Sequence, residues 1–425
     1  MNRFWFFIYN VLFLPVLYAV IKTASLLNPK IQRGIRGRKR IFEELIVNSQ
    51  RLDRSKKTIW FHSSSLGEFE QAKPIIQKLK DEKGINVIIT FFSPSGYDNS
   101  RKYPYANIIS YLPFDSKSNA ERFINIIRPD LTIMMRYDIW PNMVWKLKQK
   151  NIPALIVDAT MKKSSLRALP VLRSFHKVLF SSISKILTVS KSDAEAFKLF
   201  ECRGEKVKVV GDTRFDRVYQ KSVDAKDKKL IQPAILQGKK VLVAGSTWEQ
   251  DEEIILPAFL KLAKFDRDVL LIIAPHEPNL LHLEKTENEF AGILKTIRFS
   301  HLNNYYDERV IIVDSIGILL TLYTYADVAY VGGSFKQNVH NVLEAAVYGI
   351  PVMFGPKINN SQEAMQLKEK GGGLVINGKR EAYRRMRSLF SDENLRKSRG
   401  KISLEYVQEN IGATHKIIEE IEKFL

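Results

Sequence analysis

Short apolar runs separated by helix-like segments recur along the chain, and this alternation constrains its fold more than any other feature. The runs are Thr58–His62, Val87–Phe91, Asn107–Leu112, Leu131–Met135, Ala154–Asp158, Ile186–Val189, Val207–Val210, Lys240–Ala244, Val269–Ala274, Val310–Val313, Val328–Val331, Pro351–Phe354 and Gly373–Ile376. Continuous apolar strands that alternate with helices are typical of parallel sheets covered on both faces and joined by right-handed crossovers. The sequence therefore predicts an α/β protein with two similar-sized Rossmann-like halves and a cleft at the carboxyl ends of their strands.

The spacing of the runs divides the 425 residues into two domains with additional terminal segments. A polar stretch rich in Lys and Asp lies between the two sets of strands and has the composition of a linker. We predict an N-terminal apolar helix at 1–29, a Rossmann-like domain at 30–218, a linker at 219–235, a second Rossmann-like domain at 236–404 and a C-terminal helix at 405–425. We expect the C-terminal helix to pack back on the first domain.

The segment Phe4–Leu27 is almost wholly apolar and aromatic and is long enough to cross a bilayer. Two other interpretations stay open. A cleaved signal segment is one, although no small-residue cleavage site precedes the basic run that follows. A buried core helix, kinked at Pro15, is the other. The pattern favours membrane association, either across the bilayer or along its interface.

Six cations occur in the eleven residues Lys30–Arg40. Those expected at a membrane surface are Arg33, Arg36, Arg38, Lys39 and Arg40. Cations beside an apolar anchor mark the cytoplasmic side and attract anionic headgroups, whereas a solvated loop is the alternative. The whole chain has 66 Lys and Arg against 46 Asp and Glu, a net charge of +20, which favours an anionic partner. The adjacent apolar segment favours a membrane surface over nucleic acid.

Several kinds of site are excluded by the sequence. The single cysteine, Cys202, excludes a disulfide framework and a Cys-based zinc site, and it indicates a reducing compartment. The chain contains no P-loop, no G-x-G-x-x-G fingerprint and no H-E-x-x-H motif. Asp266 and Asp268 have D-x-D spacing but precede their strand instead of following it. We therefore do not expect these two carboxylates to bind a metal.

The first candidate catalytic element follows the run Thr58–His62. A hydroxyl-rich turn containing Ser65 and Gly67 leads to Glu68 at the start of a helix. The helix dipole stabilises an ionised carboxylate there, and a carboxylate at the carboxyl end of a strand suits a general base. The alternative is structural, because Ser65 and Glu68 also have the spacing of a capping box.

A second element, which contains Asp138, Trp140 and Asn142, follows the run Leu131–Met135. It places charge and aromatic surface where a parallel strand ends. The alternative is that Asp138 caps a helix whose first turn contains Pro141.

Two further elements lie in the second half. The turn at 245–249 has small residues before a helix, and the glycines at 332–333 free the backbone for phosphate contact. His340 and Glu344 are spaced to share one helical face. Together with Asn341, they can form hydrogen bonds to sugar hydroxyls. A capped surface helix is the alternative for the last group.

Taken in order, these elements resemble those of the Kdo (3-deoxy-D-manno-octulosonic acid) transferases, membrane-associated glycosyltransferases of the GT-B fold. The resemblance covers nearly the whole chain. Its elements are the apolar N-terminus with its basic continuation, W-x-H-x-x-S-x-G-E at Trp60–Glu68, the W-P-N element at Asp138–Asn142, G-D-x-R-F-D at Gly211–Asp216, G-S-T-x-E at Gly245–Glu249, A-P-H-E-P at Ala274–Pro278, V-G-G-S-F at Val331–Phe335 and H-N-x-L-E at His340–Glu344.

The resemblance implies an inverting transfer of Kdo from CMP-Kdo to the lipid A precursor, without a metal or other cofactor, at the cytoplasmic face of the inner membrane of a Gram-negative bacterium. It implies that Glu68 is the general base and that Asp138 and Arg214 assist the transition state. The expected donor-side residues are Ser246, Thr247, Glu249, Pro275, His276, Ser315, Ile316, Gly317, Gly333, Ser334, His340, Asn341, Leu343 and Glu344. The expected acceptor-side residues are Ser65, Gly67, Trp140 and Asn142. The implied partners are CMP-Kdo, the lipid A precursor and anionic lipids of the inner membrane, with no nucleic acid.

The chain departs from the family pattern at several positions. Arg136 replaces the first Glu before the W-P-N element, and Arg214 stands where Lys is usual. His276 stands where Arg is common, and Asp158 begins an element that is usually N-A-R-x-S. Two alternatives to a Kdo transferase are another GT-B enzyme that uses a UDP-sugar on a lipid-linked acceptor, and a basic protein that binds anionic lipid or nucleic acid without catalysis.

Overall fold

The computed structural model describes residues 3–425, which form two compact units. The first unit contains the chain up to Arg217 together with the C-terminal segment Gly412–Leu425. The second unit is Val218–Ile411. Each unit is built on a seven-stranded parallel sheet, as the alternation of apolar runs and helices predicts.

The sheet of the first unit has the strand order β3-β2-β1-β4-β5-β6-β7. Its strands are β1 (Thr58–Ser63), β2 (Asn86–Phe91), β3 (Ile108–Tyr111), β4 (Leu131–Met135), β5 (Ala154–Ala159), β6 (Lys185–Thr188) and β7 (Val207–Val209). Its helices are α1 (Arg3–Phe7), α2 (Leu14–Leu27), α3 (Pro29–Arg36), α4 (Ile41–Ser49), α5 (Leu66–Lys83), α6 (Pro94–Ser100), α7 (Lys117–Ile127), α8 (Pro141–Gln149), α9 (Pro170–Phe180), α10 (Lys191–Phe197) and the start of α11 (Thr213–Lys226). The strand order reverses between β1 and β4, so their carboxyl ends form the edge at which ligands bind in such sheets.

The sheet of the second unit has the order β10-β11-β9-β8-β12-β13-β14. Its strands are β8 (Lys240–Thr247), β9 (Val269–Pro275), β10 (Thr296–Arg298), β11 (Val310–Ile312), β12 (Val328–Val331), β13 (Val352–Phe354) and β14 (Gly373–Val375). Its helices are α12 (Pro233–Leu236), α13 (Glu249–Phe265), α14 (Leu280–Asn288), α15 (Leu319–Leu322), α16 (Leu343–Ala346), α17 (Gln362–Lys370), α18 (Lys379–Ser391) and α19 (Glu393–Glu409). Here the order reverses between β8 and β12.

Side chains alternate across each sheet and form a separate apolar core on either face. In β1, Trp60 packs on one face, whereas Ile59 and Phe61 pack on the other. Every predicted run forms a strand, which confirms the predicted fold class. The short strand β10 is missing from the prediction because its three residues, Thr-Ile-Arg, carry no continuous apolar signal.

The C-terminal helix α20 (Ala413–Glu422) belongs to the first unit. Its isoleucines, Ile417, Ile418 and Ile421, enter the core that contains Ile59 and Phe61. Glu420 is buried and pairs with Lys185 at 2.9 Å, and its lysine partners outweigh burial and hold its pKa at about 2. The predicted division between 404 and 405 falls inside α19, and the predicted linker at 219–235 is partly helical.

The N-terminal helix runs from Arg3 to Leu27, with a π-helical segment at Ile8–Phe13, and is long and apolar enough to cross a membrane. One face of it packs on the first unit, where Tyr9 and Leu14 are buried beside Trp145.

The prediction that Arg38 lies at a membrane surface is wrong. Its guanidinium is buried and donates to the carbonyls of Gly34, Phe92 and Leu112, because the chain ends of neighbouring elements leave these oxygens unpaired there. The other cations of the basic run are exposed, and two of them form ion pairs. These cations are Lys30, Arg33, Arg36, Lys39 and Arg40, and the pairs are Arg33–Asp98 and Arg40–Glu43.

Candidate active site

A buried chain of hydrogen bonds links β1 to the end of β4. Because side chains alternate along a strand, Trp60 and His62 point to the same face of the sheet. Trp60 Nε1 donates to Thr90 Oγ1 at 2.8 Å, and the same hydroxyl lies 2.9 Å from His62 Nδ1. His62 Nε2 lies 2.9 Å from Asp138 Oδ2. When Nε2 carries a hydrogen, the imidazole donates to Asp138 and holds its carboxylate in place.

Glu68 lies in the first turn of α5, immediately after β1. Ser65 caps this helix, since its Oγ accepts the N–H of Glu68 at 3.5 Å. Glu68 Oε2 accepts the backbone N–H of Ser64 at 2.6 Å and not that of Ser65, so the Ser65 half of the alternative capping box forms and the Glu68 half does not. Within residues 3–425, no hydrogen-bond partner occupies Glu68 Oε1. Burial raises the pKa of Glu68, and the charge of Asp138 raises it further. A carboxylate with one free oxygen and a raised pKa is suited to accept a proton.

Asp138 is held as an anion beside Glu68. Burial opposes its ionisation, but hydrogen bonds from His62 and Trp140 lower the pKa of Asp138 below its ordinary value. Ser64 contacts both carboxylates, since its N–H donates to Glu68 and its hydroxyl contributes to lowering the pKa of Asp138. The two carboxylates therefore form one electrostatic unit in which only Glu68 is tuned towards proton uptake.

A second charged group lies at the ends of β4 and β5. Arg136 donates to Gln71 Oε1 at 2.9 Å and lowers the pKa of Glu68, although less than burial raises it.

Asp158 is fully buried and accepts the N–H and hydroxyl of Thr213. Burial and the neighbouring Asp212 raise the pKa of Asp158.

Arg214, predicted to be catalytic, donates two hydrogen bonds to Asp212 Oδ2, from Nη2 at 2.6 Å and from Nε at 2.9 Å. Burial alone would raise the pKa of Asp212, but Arg214 outweighs it and lowers that pKa. Arg136 and Asp158 both have positive φ, 59° and 52°, a region that is costly for residues other than glycine. Such strained residues cluster at functional sites.

The predicted acceptor-side residues have different environments. Gly67 is exposed, and Ser65 is a helix cap. Trp140 is half-buried and stacks on Phe92 at 4.8 Å. Asn142 is buried and donates to the backbone carbonyl of Asp115 at 2.6 Å, so it supports the start of α8 instead of facing a ligand.

In the second unit, aromatic rings gather at the reversal of the strand order. His276, after β9, stacks on His340 with ring centres 4.4 Å apart, and it lies 4.7 Å from the ring of Trp248. Trp248 Nε1 donates to His340 Nε2 at 3.2 Å, which requires an unprotonated nitrogen, and burial lowers the pKa of His340. Lys336 Nζ lies 3.2 Å from the centre of the Trp248 ring. Trp248 and Lys336 also line a cavity of about 200 Å³. Flat rings beside a cation suit a planar or anionic ligand.

Asp251 organises this group. One of its oxygens accepts the Tyr330 hydroxyl at 2.6 Å, and the other accepts the N–H of Gly333 at 2.8 Å and that of Trp248 at 3.0 Å. The N–H of Gly333 therefore has an acceptor within the protein, and the phosphate contact of this glycine stays a prediction. Ser334 is also buried and accepts the N–H of Gly355 at 2.6 Å, so its hydroxyl joins two loops.

The expected helical face at His340 and Glu344 does not form, because α16 begins at Leu343. Asn341 Oδ1 instead accepts the N–H of Leu343 at 3.2 Å, and its amide donates to Glu344. Other predicted donor-side residues are buried or turned to solvent. Thr247, Pro275 and Leu343 are buried, Ser246 is half-buried, and Glu249, Ser315, Ile316 and Gly317 are exposed.

Asp251 and the hydrogen-bond chain through Thr90 are absent from the sequence prediction. No short motif contains them, since their partners lie on other strands. Among residues 3–425, no group of three or more His, Cys, Asp or Glu side chains is arranged to hold a metal.

Two Rossmann-like parallel sheets, with charged side chains at one strand reversal and aromatic side chains at the other, indicate a GT-B protein. The 3-deoxy-D-manno-octulosonic-acid transferase (kdotransferase) family model matches residues 39–217. A 3-deoxy-D-manno-octulosonic acid transferase of Aquifex aeolicus is 30% identical over 346 residues, which cover 80% of this chain and 88% of the relative. That of Haemophilus influenzae is 27% identical over 99% of both chains. The chain therefore belongs to the Kdo transferase family and is a glycosyltransferase.

A solved structure supports the fold. The UDP-GlcNAc 2-epimerase of Neisseria meningitidis has a TM-score of 0.61 with 15% identity, and the match covers 86% of this chain and all of the epimerase (100%).

Proposed function

We propose that this enzyme transfers Kdo from CMP-Kdo to the lipid A precursor of lipopolysaccharide, with inversion at the transferred carbon. The observation that carries the proposal is the pair Glu68 and Asp138 at the strand reversal of a chain in the Kdo transferase family. In this mechanism Glu68 accepts the proton of an acceptor hydroxyl while the bond to CMP breaks. The hydroxyl oxygen forms the new glycosidic bond, and CMP leaves with the electron pair of the broken bond.

The first unit supports this chemistry through its charges. Asp138 stays ionised beside Glu68, so it raises the basicity of Glu68 without competing for the proton. Arg136 and Arg214 supply positive charge near the same edge. In a partly desolvated site, fixed charges of this kind stabilise charge that develops in a transition state.

The second unit supports nucleotide binding. The rings of Trp248, His276 and His340 offer a flat surface, and Lys336 supplies a cation for a phosphate. We assign the CMP group to this surface. Membrane association is supported by the apolar N-terminal helix and by the exposed cations Arg36, Lys39 and Arg40. We place the reaction at the cytoplasmic face of an inner membrane, where a phosphorylated lipid acceptor is presented.

The test is a transfer assay with CMP-Kdo and detergent-dispersed lipid A precursor, which follows both CMP release and lipid glycosylation. Glu68→Gln should lower kcat by about 1,000-fold, because a positioned general base contributes about 100- to 10,000-fold. Glu82→Gln, a change at an exposed residue of the same helix, is the matched control. CMP affinity should be retained in both variants.

Equal turnover by wild type and Glu68→Gln would exclude Glu68 as the base. Transfer from a UDP-sugar, blocked by UDP but not by CMP, would support the other GT-B activity. Salt-dependent lipid binding without any turnover would support a binding protein instead.

A further inference from the structure

The N-terminal helix is held against the first unit over more than half of its length. Contacts begin at Trp5, whose indole N–H donates to Ser174 Oγ at 3.3 Å. They extend to Tyr18, whose ring meets that of Phe114 at 5.4 Å. With a rise of about 1.5 Å per residue, this docked part is about 20 Å long.

Buried polar bonds fix the docked part in one position. The Tyr9 hydroxyl donates to Asp115 Oδ2 at 2.9 Å. Asn10 and Asn142 exchange two amide hydrogen bonds of 3.1 and 2.9 Å. Undocking the helix would leave the buried Asp115 and Asn142 without these partners, which is costly.

A docked helix of this kind cannot also cross a bilayer. A spanning helix must traverse about 30 Å of hydrocarbon. Only residues 19–27, about 13 Å of helix, extend beyond the docked part. Spanning would draw the attached domain, with Asp115 and the polar ends of its helices, into the hydrocarbon.

The outer side of the helix is apolar. Its exposed large side chains are Phe4, Phe7, Val11, Leu12, Phe13, Val16, Val20, Leu26 and Leu27. A second exposed apolar set, Leu166, Leu169, Val171 and Leu172, lies at the start of α9 and in the turn before it. Phe175 of α9 joins the two sets, since its ring lies 5.5 Å from Trp5 and 6.0 Å from Tyr9. We call these two sets the anchor face.

We propose that the anchor face docks on a bilayer that contains anionic phospholipid, with Arg3–Leu27 lying in the plane of the membrane interface. This proposal rests on the membrane association in the proposed function and adds its geometry and a second contacting element. Charge complementarity selects the bilayer as the occupant, because the exposed cations Lys162, Lys163 and Arg173 flank Leu166–Leu172. Apolar side chains rimmed by Lys and Arg are what an interfacial segment presents to anionic lipid.

The sidedness of the helix ends tests the in-plane orientation. Cys202 is buried and the chain has no other cysteine, so Cys202→Ser gives a background for the exposed positions Arg3→Cys and Lys30→Cys. In sealed inverted membrane vesicles, a membrane-impermeant maleimide should label both cysteines before detergent is added. Labelling of Lys30→Cys alone, with Arg3→Cys protected until detergent is added, would overturn the proposal.

Vesicle flotation tests the second apolar set. Leu166 and Val171 are 73% and 67% exposed, and Phe265 and Ile293 of the second unit, at 76% and 56%, are the matched control pair. Leu166→Ser/Val171→Ser should lower the fraction bound to anionic vesicles several-fold, and Phe265→Ser/Ile293→Ser should not. Equal binding of both variants would overturn the role of this set. Transfer to detergent-dispersed acceptor should stay unchanged, which separates this result from a failure of the proposed function.

A second copy of the chain is the other occupant to test. In the Cys202→Ser background, a polarity-sensitive fluorophore on Val171→Cys should shift to the blue when anionic vesicles are added. Rapid formation of disulfide-linked dimers by the unlabelled Val171→Cys variant, with no fluorescence shift, would show that another copy covers this face and would overturn the proposal.

Discussion

The two units share one sheet plan, but the edges at their strand reversals carry different chemistry. The first unit gathers charges there, with Glu68, Asp138 and Asp158 close to Arg136. The second unit gathers the rings of Trp248, His276 and His340 with one lysine. The fold thus supplies the position of a site, whereas the side chains that follow each strand determine its chemistry.

The use of carboxylates sharpens this contrast. In the first unit, Glu68 keeps one oxygen without a partner in the described part of the chain and has a raised pKa. In the second unit, both oxygens of Asp251 are occupied by Tyr330, Gly333 and Trp248. The same functional group therefore keeps an oxygen available in one unit and joins structural elements in the other.

The largest effect after loss of Glu68 is expected for Asp138→Asn. This change removes the anion that raises the pKa of Glu68 and that His62 holds in place. We expect kcat to fall by about 100-fold, the lower part of the range for acid–base catalysis, with donor affinity unchanged. Steady-state kinetics with varied CMP-Kdo separate the two quantities. Asp81→Asn, at an exposed position of α5, is the control. A change confined to donor affinity would break the proposed contrast between the units.

Asp251→Asn should act in the opposite way. The amide can accept fewer hydrogen bonds, so a buried N–H or O–H is left unpaired, at a cost of about 2 kcal/mol or about 30-fold in affinity. The loss should appear in CMP binding, measured by calorimetry, and less in kcat at saturating donor. Asp268→Asn, at an exposed position, should leave both unchanged. An effect on kcat alone would contradict a purely structural Asp251.

Trp248→Leu should weaken CMP binding by about 10-fold, because an aromatic contact adds about 0.5–1.5 kcal/mol beyond area burial. Phe265→Leu, an exposed change in the same unit, is the control. Retention of full CMP affinity by Trp248→Leu would place the nucleotide away from the ring surface.

The strands and their order of appearance could be predicted because buried parallel strands leave continuous apolar runs. Glu68 and Asp138 could each be placed at the carboxyl end of a strand for the same reason, whereas their predicted roles come from the resemblance to the Kdo transferases. The charge of Arg136 departs from the family pattern. In the structure, this charge lowers the pKa of Glu68. It also lowers the pKa of Asp158, although burial and Asp212 raise that pKa by more.

Features that depend on pairing across the sheet could not be predicted. The burial of Arg38 depends on carbonyls of Gly34, Phe92 and Leu112, which are far apart in the sequence. Residue spacing alone extends a helix back to His340, but the close packing of His340 against Gly333 and its bond to Trp248 hold it outside α16. Side-chain partners, unlike strands, leave no periodic signal in the chain.

The smallest expected effects are shifts of the pH profile, and they test the first unit most sharply. Burial raises the pKa of Glu68, so kcat/KM should fall on acidification at a higher pH than for an exposed glutamate. Asp138 raises this pKa by repulsion, whereas Arg136 lowers it by stabilising the carboxylate. Asp138→Asn should therefore move the acidic limb to lower pH, and Arg136→Gln should move it to higher pH.

These opposite displacements identify the titrating group better than either variant alone. A general loss of packing would move both limbs in the same direction or leave both in place. Profiles of kcat/KM for wild type and the two variants, recorded at constant ionic strength, provide the measurement. Asp138 and Arg136 carry opposite charges beside the carboxylate of Glu68. Displacement of the two acidic limbs in opposite directions is therefore expected only if Glu68 is the base. If the two limbs coincide with that of wild type, another group controls proton transfer, and the contrast between the two units no longer rests on Glu68.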